Sequence, residues 1–152
     1  MERLSHVDHL PAQLARLLED PGGVKQLSYD SGVSKNTIYR LLHGSPCRLG
    51  TLEKLARCRD RSIAEMFLVP DVDTDWYREA ALAHLPDNLA ECTETTYIAV
   101  AEKVGVPYQV FWLYLTGSQN PMSNTLQKIA DALDMEVADL FLPPDGGEMD
   151  DE

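Results

Sequence analysis

The chain has 152 residues, 44% of them hydrophobic and 25% charged, with a formal net charge of −12; such values suit one medium or two very small globular domains and argue against a disordered chain. No run approaches the roughly 18 apolar residues of a membrane span, and the N-terminal MERLSHVDHLP has no apolar secretory core, so a cytoplasmic protein is expected. Cys47, Cys58 and Cys92 are odd in number and widely spaced, which argues against a disulfide framework or a CxxC metal site and predicts buried free thiols.

Taken in chain order, the apolar spacing predicts helices. Pro11 suits an early helical position, and Leu14, Leu17 and Leu18 form one face, ended at EDPGG. Val24, Leu27 and Ser28 turn a second helix inward, and Ser31-Gly32 makes a tight turn where glycine tolerates positive φ. Ser34 caps a third helix whose Ile38, Leu41 and Leu42 fall at i, i+3, i+4 in the core, and Gly44 stops it. Thr51 starts a fourth helix with Leu52, Leu55 and Ala56 inside, and SIAE (62–65) is a capping box for a short fifth helix bearing Met66 and Phe67. DTDWYREAALA predicts an added helix from about Asp75 to His84.

The pattern then repeats. HLPAQLA at 9–15 returns as HLPDNLA at 84–90, a shift of 75. Gly32-Val33 and Gly44-Ser45 return as Gly105-Val106 and Gly117-Ser118, a shift of 73, and Thr51-Leu52, Leu55-Ala56 and Met66-Phe67 match Thr125-Leu126, Ile129-Ala130 and Leu140-Phe141, a shift of 74. Small loop changes around a constant apolar skeleton predict two copies of one all-α fold, at about 9–68 and 84–142. Charge divides along the same line. Residues 24–62 hold eight Lys/Arg against three acids, net +5, whereas residues 63–152 hold Arg78, Lys103 and Lys128 against 18 acids, net −15. A basic island in an acidic chain predicts one surface that faces a polyanion and a remainder that repels it.

GVSKNTIYRLLHG (32–44), followed by TLEKLA and SIAEMF, and NPMSNTLQKIADALDMEVADLF in the second copy, carry a family resemblance: each copy resembles a helix-turn-helix domain of the lambda-repressor and Cro-like (XRE) family. The resemblance covers about three quarters of the chain. It implies two tandem five-helix lambda-repressor-like domains: a basic DNA-binding domain at 1–68, a linker at 69–83 and a second, acidic domain at 84–142; the composition of PPDGGEMDDE predicts a disordered acidic tail at 143–152. It also implies a prokaryotic or phage transcription regulator, acting as a repressor on double-stranded DNA. Carried onto the third helix, the base-reading positions are Lys35, Asn36 and Arg40. Lysine or arginine can reach guanine O6 and N7, and asparagine can pair with adenine N6 and N7. Ser34, Thr37, Tyr39, His43, Arg48 and Thr51 are assigned to phosphates, which set register without reading sequence.

The second copy departs from this pattern. PYQVFWLYLTG places Tyr108, Gln109, Trp112 and Leu113 where the first copy has Lys35, Asn36, Tyr39 and Arg40, with no cation on the face and acids around it. An aromatic and leucine patch in water marks a protein contact, so Tyr108, Trp112 and Leu113 are expected at an interface for self-association, for the first copy or for another protein. Two other uses stay open: a DNA contact through Gln109, Asn120, Ser123, Asn124 and Lys128, or burial beneath the linker helix. A homodimer is expected, because a two-fold dimer reads two half-sites about one helical turn apart. The arginines after Arg57 are expected to pair with the acidic half or the linker aspartates.

Catalysis is not expected. His6 and His9 lie three apart without a Cys or carboxylate set at metal spacing, there is no Gly-rich phosphate loop or G-x-S-x-G elbow, and Asp71, Asp73 and Asp75 read as solvated linker charge. No metal, cofactor or membrane is implied. The alternative from another class is an antitoxin-like or phage-regulatory adaptor that docks a protein partner, with DNA binding weak or lost.

Overall fold

The computed structural model describes residues 4–19, 22–69, 74–93 and 96–143, with the Cys92 side chain outside that set. The expected acidic tail beyond Pro143, the Asp20-Pro21 stop and the linker acids Asp71 and Asp73 lie outside the described residues. Among the described residues the protein is all-helical, and no helix is long and apolar enough to cross a membrane.

Four α-helices come first: α1 (Leu10–Leu17), α2 (Gly23–Ser31), α3 (Lys35–Leu42) and α4 (Leu49–Arg57), closed by a 3₁₀ turn at Ile63–Phe67. Four more follow, α5 (Leu85–Thr93), α6 (Tyr97–Val104), α7 (Tyr108–Thr116) and α8 (Ser123–Leu133), closed by a 3₁₀ turn at Val137–Phe141. The order of elements is the same in both stretches, and backbone detail coincides as well. Left-handed φ occurs at Gly32 and Gly105, at Gly44 and Gly117, and at Asp60 and Asp134, each pair separated by the repeat shift of 73 or 74. Asp60 and Asp134 follow α4 and α8, where a short polar side chain tolerates the left-handed region better than most.

Local expectations fare unevenly. Pro11 sits in the first turn of α1, Ser34 caps α3, and Ser62 N–H donates to Glu65 Oε2 at 3.0 Å in the turn after α4. Helix α4 starts at Leu49, two residues before Thr51, and Leu18, Val24, Ser28 and Leu42 are only half-buried. The added helix expected from Asp75 to His84 is instead two 3₁₀ turns, Asp75–Tyr77 and Leu82–His84, separated at Ala81, whose extended backbone donates its N–H to Phe141 O at 2.9 Å. Cys47 is buried and free, and Cys58 is free and half-buried.

One apolar core runs through both stretches. At its centre Phe67 and Phe141 stack with centroids 5.7 Å apart and planes 17° from parallel; they are corresponding residues under the shift of 74. At the other end of the contact Arg48 and Met122, also 74 apart, form an isolated antiparallel bridge, with Ser123 N–H donating to Cys47 O at 2.9 Å. Between them some hydrogen bonds come in matched pairs, although those of Leu4 and Ser5 to Glu136 and of Ala138 to Ser5 have no counterpart among the described residues. Val7 N–H donates to Gln127 Oε1 and Leu82 N–H to Glu53 Oε2, both at 2.8 Å; Glu53 corresponds to Gln127, and Val7 to Leu82. His6 N–H to Phe67 O and Ala81 N–H to Phe141 O repeat one another within each stretch, as do Gln13 Nε2 to Leu68 O and Asn88 Nδ2 to Leu142 O. A contact in which i meets j and the counterpart of j meets the counterpart of i is the signature of a two-fold axis. Here the axis is approximate and internal, running between Phe67 and Phe141 and between Arg48 and Met122.

Candidate nucleic-acid interface

The turn between α2 and α3 is fixed by hydroxyl groups. Ser31 Oγ donates to Leu27 O (2.7 Å) and accepts Val33 N–H (3.1 Å), while Ser28 Oγ donates to Val33 O (2.7 Å). With Gly32 at φ +78°, these bonds close the turn without exposing an unpaired Val33 peptide. Ser34 Oγ then accepts Thr37 N–H at 3.2 Å and lies 2.9 Å from Thr37 Oγ1, which starts α3.

Ile38 and Leu41 are buried and anchor α3 on α1 and α2, so its other sides are free of the core. Lys35, Asn36, Tyr39 and Arg40 are exposed, as is His43 just beyond its end. A cleft between α3 and the start of α4 brings together Thr37, Arg40, Arg48 and Thr51, with Met122 on its far wall. A second cleft carries Arg48 and Thr51 on to Lys54, and its opposite side is Gln119, Asn120 and Met122. The positions assigned from sequence are therefore split. Arg40, Thr37, Arg48 and Thr51 share one concave surface; Lys35, Asn36, Tyr39 and His43 stand on the outer side of α3 and line neither cleft.

Arg57 meets Glu53 at 3.3 Å, four residues earlier on α4, and Arg59 meets Asp30 of α2 at 2.9 Å. Both of these pairings lie within the first stretch, whereas the linker aspartates Asp71 and Asp73 expected as partners lie outside the described residues. Hydrogen bonds from Gln26 and Arg59 hold the Asp30 carboxyl below the usual range. Glu53, the single acid between Ser31 and Arg57, also accepts Leu82 N–H.

On α7, Phe111 and Tyr114 are buried while Tyr108 (49%), Gln109, Trp112 (52%) and Leu113 (36%) are exposed. Trp112 lies on Tyr97 of α6, with centroids 5.6 Å apart. The 3₁₀ turns of the linker do not cover this face, which answers the expectation of burial there. Ser123 leaves the set of open polar groups, since it is buried and its Oγ accepts Cys47 N–H at 3.0 Å. The acids expected around this face are absent from its own segment: residues 103–130 contain no Asp or Glu and two lysines, Lys103 and Lys128.

Sequence reasoning missed the acceptors Glu53 and Gln127 and the placement of Gln119, Asn120 and Met122 beside Arg48. The signal available in the sequence was that Glu53 and Gln127 are 74 residues apart, at matching places in the two similar stretches.

Residues 23–68, from the start of α2 to the end of the first 3₁₀ turn, match a family model described as a Cro/C1-type HTH DNA-binding domain. No curated protein and no solved structure matches the chain.

Proposed function

We propose that the Cro/C1-type segment at 23–68 is a working DNA-reading head, and that the protein is a sequence-specific transcriptional regulator acting as a repressor. In this reading α3 enters a major groove, about 12 Å wide and able to admit a helix. Lys35, Asn36 and Arg40 meet base edges, while Thr37, Tyr39, His43, Arg48 and Thr51, with Ser34 at the cap, hold the phosphates that fix register. The observation that carries it is the face of α3. Two buried apolar residues fix the helix; Lys35, Asn36, Tyr39, Arg40 and His43 are exposed on it or just beyond its end, and Thr37 and Arg40 share a cleft with Arg48 and Thr51. Residues 84–142 are, in the same reading, a second copy of the domain joined by the linker at 69–83.

One observation favours a second reading. Tyr108, Trp112 and Leu113, with Ile98 nearby on α6, leave apolar surface in water, as a module for self-association or for docking another protein would. The experiment that separates the two is selection of random duplex DNA by the full-length protein near physiological salt, beside the triple variant Lys35→Ala, Asn36→Ala, Arg40→Ala. An enriched motif that the variant fails to enrich supports the DNA reader. No enrichment by the folded wild-type protein supports the adaptor.

A further inference from the structure

We infer that one chain is a complete, two-headed and deliberately unequal DNA reader: the internal two-fold axis sets α7 at the neighbouring major groove, where Gln109 and Leu113 select an A·T-rich second half-site. The inference rests on the DNA reading of α3 and extends it.

The axis is fixed at two points, between Phe67 and Phe141 and between Arg48 and Met122. The first point is buried. The second is the end that faces DNA in the proposed reading, because Met122 shares a cleft with Thr37, Arg40 and Thr51. Each loop after a reading helix docks at the start of a helix in the other half. Gln119 and Asn120 line a cleft with Leu49, Gly50 and Thr51, and Ser45 and Pro46 line one with Ser123 and Asn124. An operation that exchanges these loops also exchanges α3 and α7, so both helices are presented on the same side of the molecule. In this inference the two helices meet half-sites about one helical turn apart, roughly 10 bp, as those of two-fold dimers do.

The contact that a homodimer would have to make for this purpose is already made inside the chain by the Val7–Gln127 and Leu82–Glu53 hydrogen bonds and the stacked phenylalanines. A second chain is not required for two-headed reading.

Residues 103–130, which carry α7 and the loop after it, hold no acid and two lysines, while Asp87 and Glu91 of α5 and Glu102 of α6 lie on helices that pack against α7. What α7 offers is chemistry for A·T pairs. Gln109, at the place of Asn36, can bond adenine N6 and N7 as asparagine does, and Leu113, at the place of Arg40, replaces a guanine contact with an apolar surface suited to the thymine methyl.

The test uses the full chain. Random duplexes are selected by wild type and by Gln109→Ala/Leu113→Ala, and the complex on the wild-type winner is sized by sedimentation. Both side chains are exposed, and Gln109→Ala alone serves if the pair alters the circular dichroism. The expected result is one chain per duplex and a motif of two blocks about 10 bp apart, unlike in sequence, the second rich in A·T. The variant keeps the first block, loses the second, and binds the wild-type duplex about tenfold more weakly. A first block alone, unchanged in the variant, overturns the inference and leaves the α3 reading standing. Two chains on a palindrome, or a free protein whose self-association depends on Trp112, overturns it too. Absence of any motif removes the α3 reading and this inference together.

Discussion

Helix α3 puts Lys35, Asn36 and Arg40 into water; α7, at corresponding positions, puts Tyr108, Gln109 and Leu113 there. Their inward sides differ far less: Ile38 and Leu41 are matched by Phe111 and Tyr114, all buried. The buried positions of the two helices thus agree in character while the exposed ones do not. The core and the reciprocal bonds of the two-fold contact need apolar volume and two acceptors, Glu53 and Gln127, and those are kept in both halves. Outer residues owe nothing to the core, so one helix can carry cations while the other carries aromatics within the same frame.

The largest expected effect tests whether the halves form one cooperative unit. Phe67→Ala and Phe141→Ala each remove a fully buried ring from the shared stack and should cost about 3–5 kcal/mol. Denaturant unfolding should show one transition displaced similarly by either change; two transitions, each sensitive to one variant, would break the comparison at its base. The next effect enters from the first half alone. Burial pushes the Cys47 thiol up to about 11 from near 9. Above pH 9 the unfolded chain sheds this proton while the folded chain keeps it. Stability is therefore lost as pH rises from about 9 towards 11, by about 2–3 kcal/mol from this group. Cys47→Ala should flatten that alkaline limb in melting experiments. Tyr77, raised by burial and by donating to Asp139 Oδ1 at 2.8 Å, adds loss of the same sign above pH 10 in both proteins. Arg40→Ala should lose about 1–3 kcal/mol of discrimination at one base pair without changing the melting temperature. Leu113→Ala should leave that base pair's discrimination intact. The smallest effect is at Arg48: Arg48→Ala should weaken binding evenly across sequences and reduce the salt slope by about one.

Much of the first stretch was legible because its signals are local. Ser34 and Gly32 mark cap and turn within a few residues of the groups they bond, and Ile38 and Leu41 declare the inward face by helical spacing alone. The shifts of 73 to 75 were legible in the sequence, whereas the left-handed backbone at Asp60 and Asp134 was not. What stayed hidden depends on distant partners. Nothing near Glu53 says that it accepts the N–H of Leu82, 29 residues away, or that Gln127 accepts that of Val7, 120 residues away. Ser123 reads as an open hydroxyl until Cys47 is seen to donate to it. The expected linker helix failed because helical spacing in DTDWYREAALA was outweighed by a tertiary bond, Ala81 N–H to Phe141 O, which holds Ala81 extended. The pairing of Arg59 with Asp30, 29 residues earlier, was likewise not legible.

The central claim is that α3 and α7 are equivalent in place and unequal in chemistry. Its most direct test makes them equal. In Tyr108→Lys/Gln109→Asn/Leu113→Arg, α7 receives the three α3 side chains proposed to read bases, all at exposed positions. Selection of random duplex DNA by this variant should return an inverted repeat of the block that wild type reads through α3, with centres about 10 bp apart and one chain bound per site. A folded variant that still selects a single block, identical to that of wild type, would contradict the account.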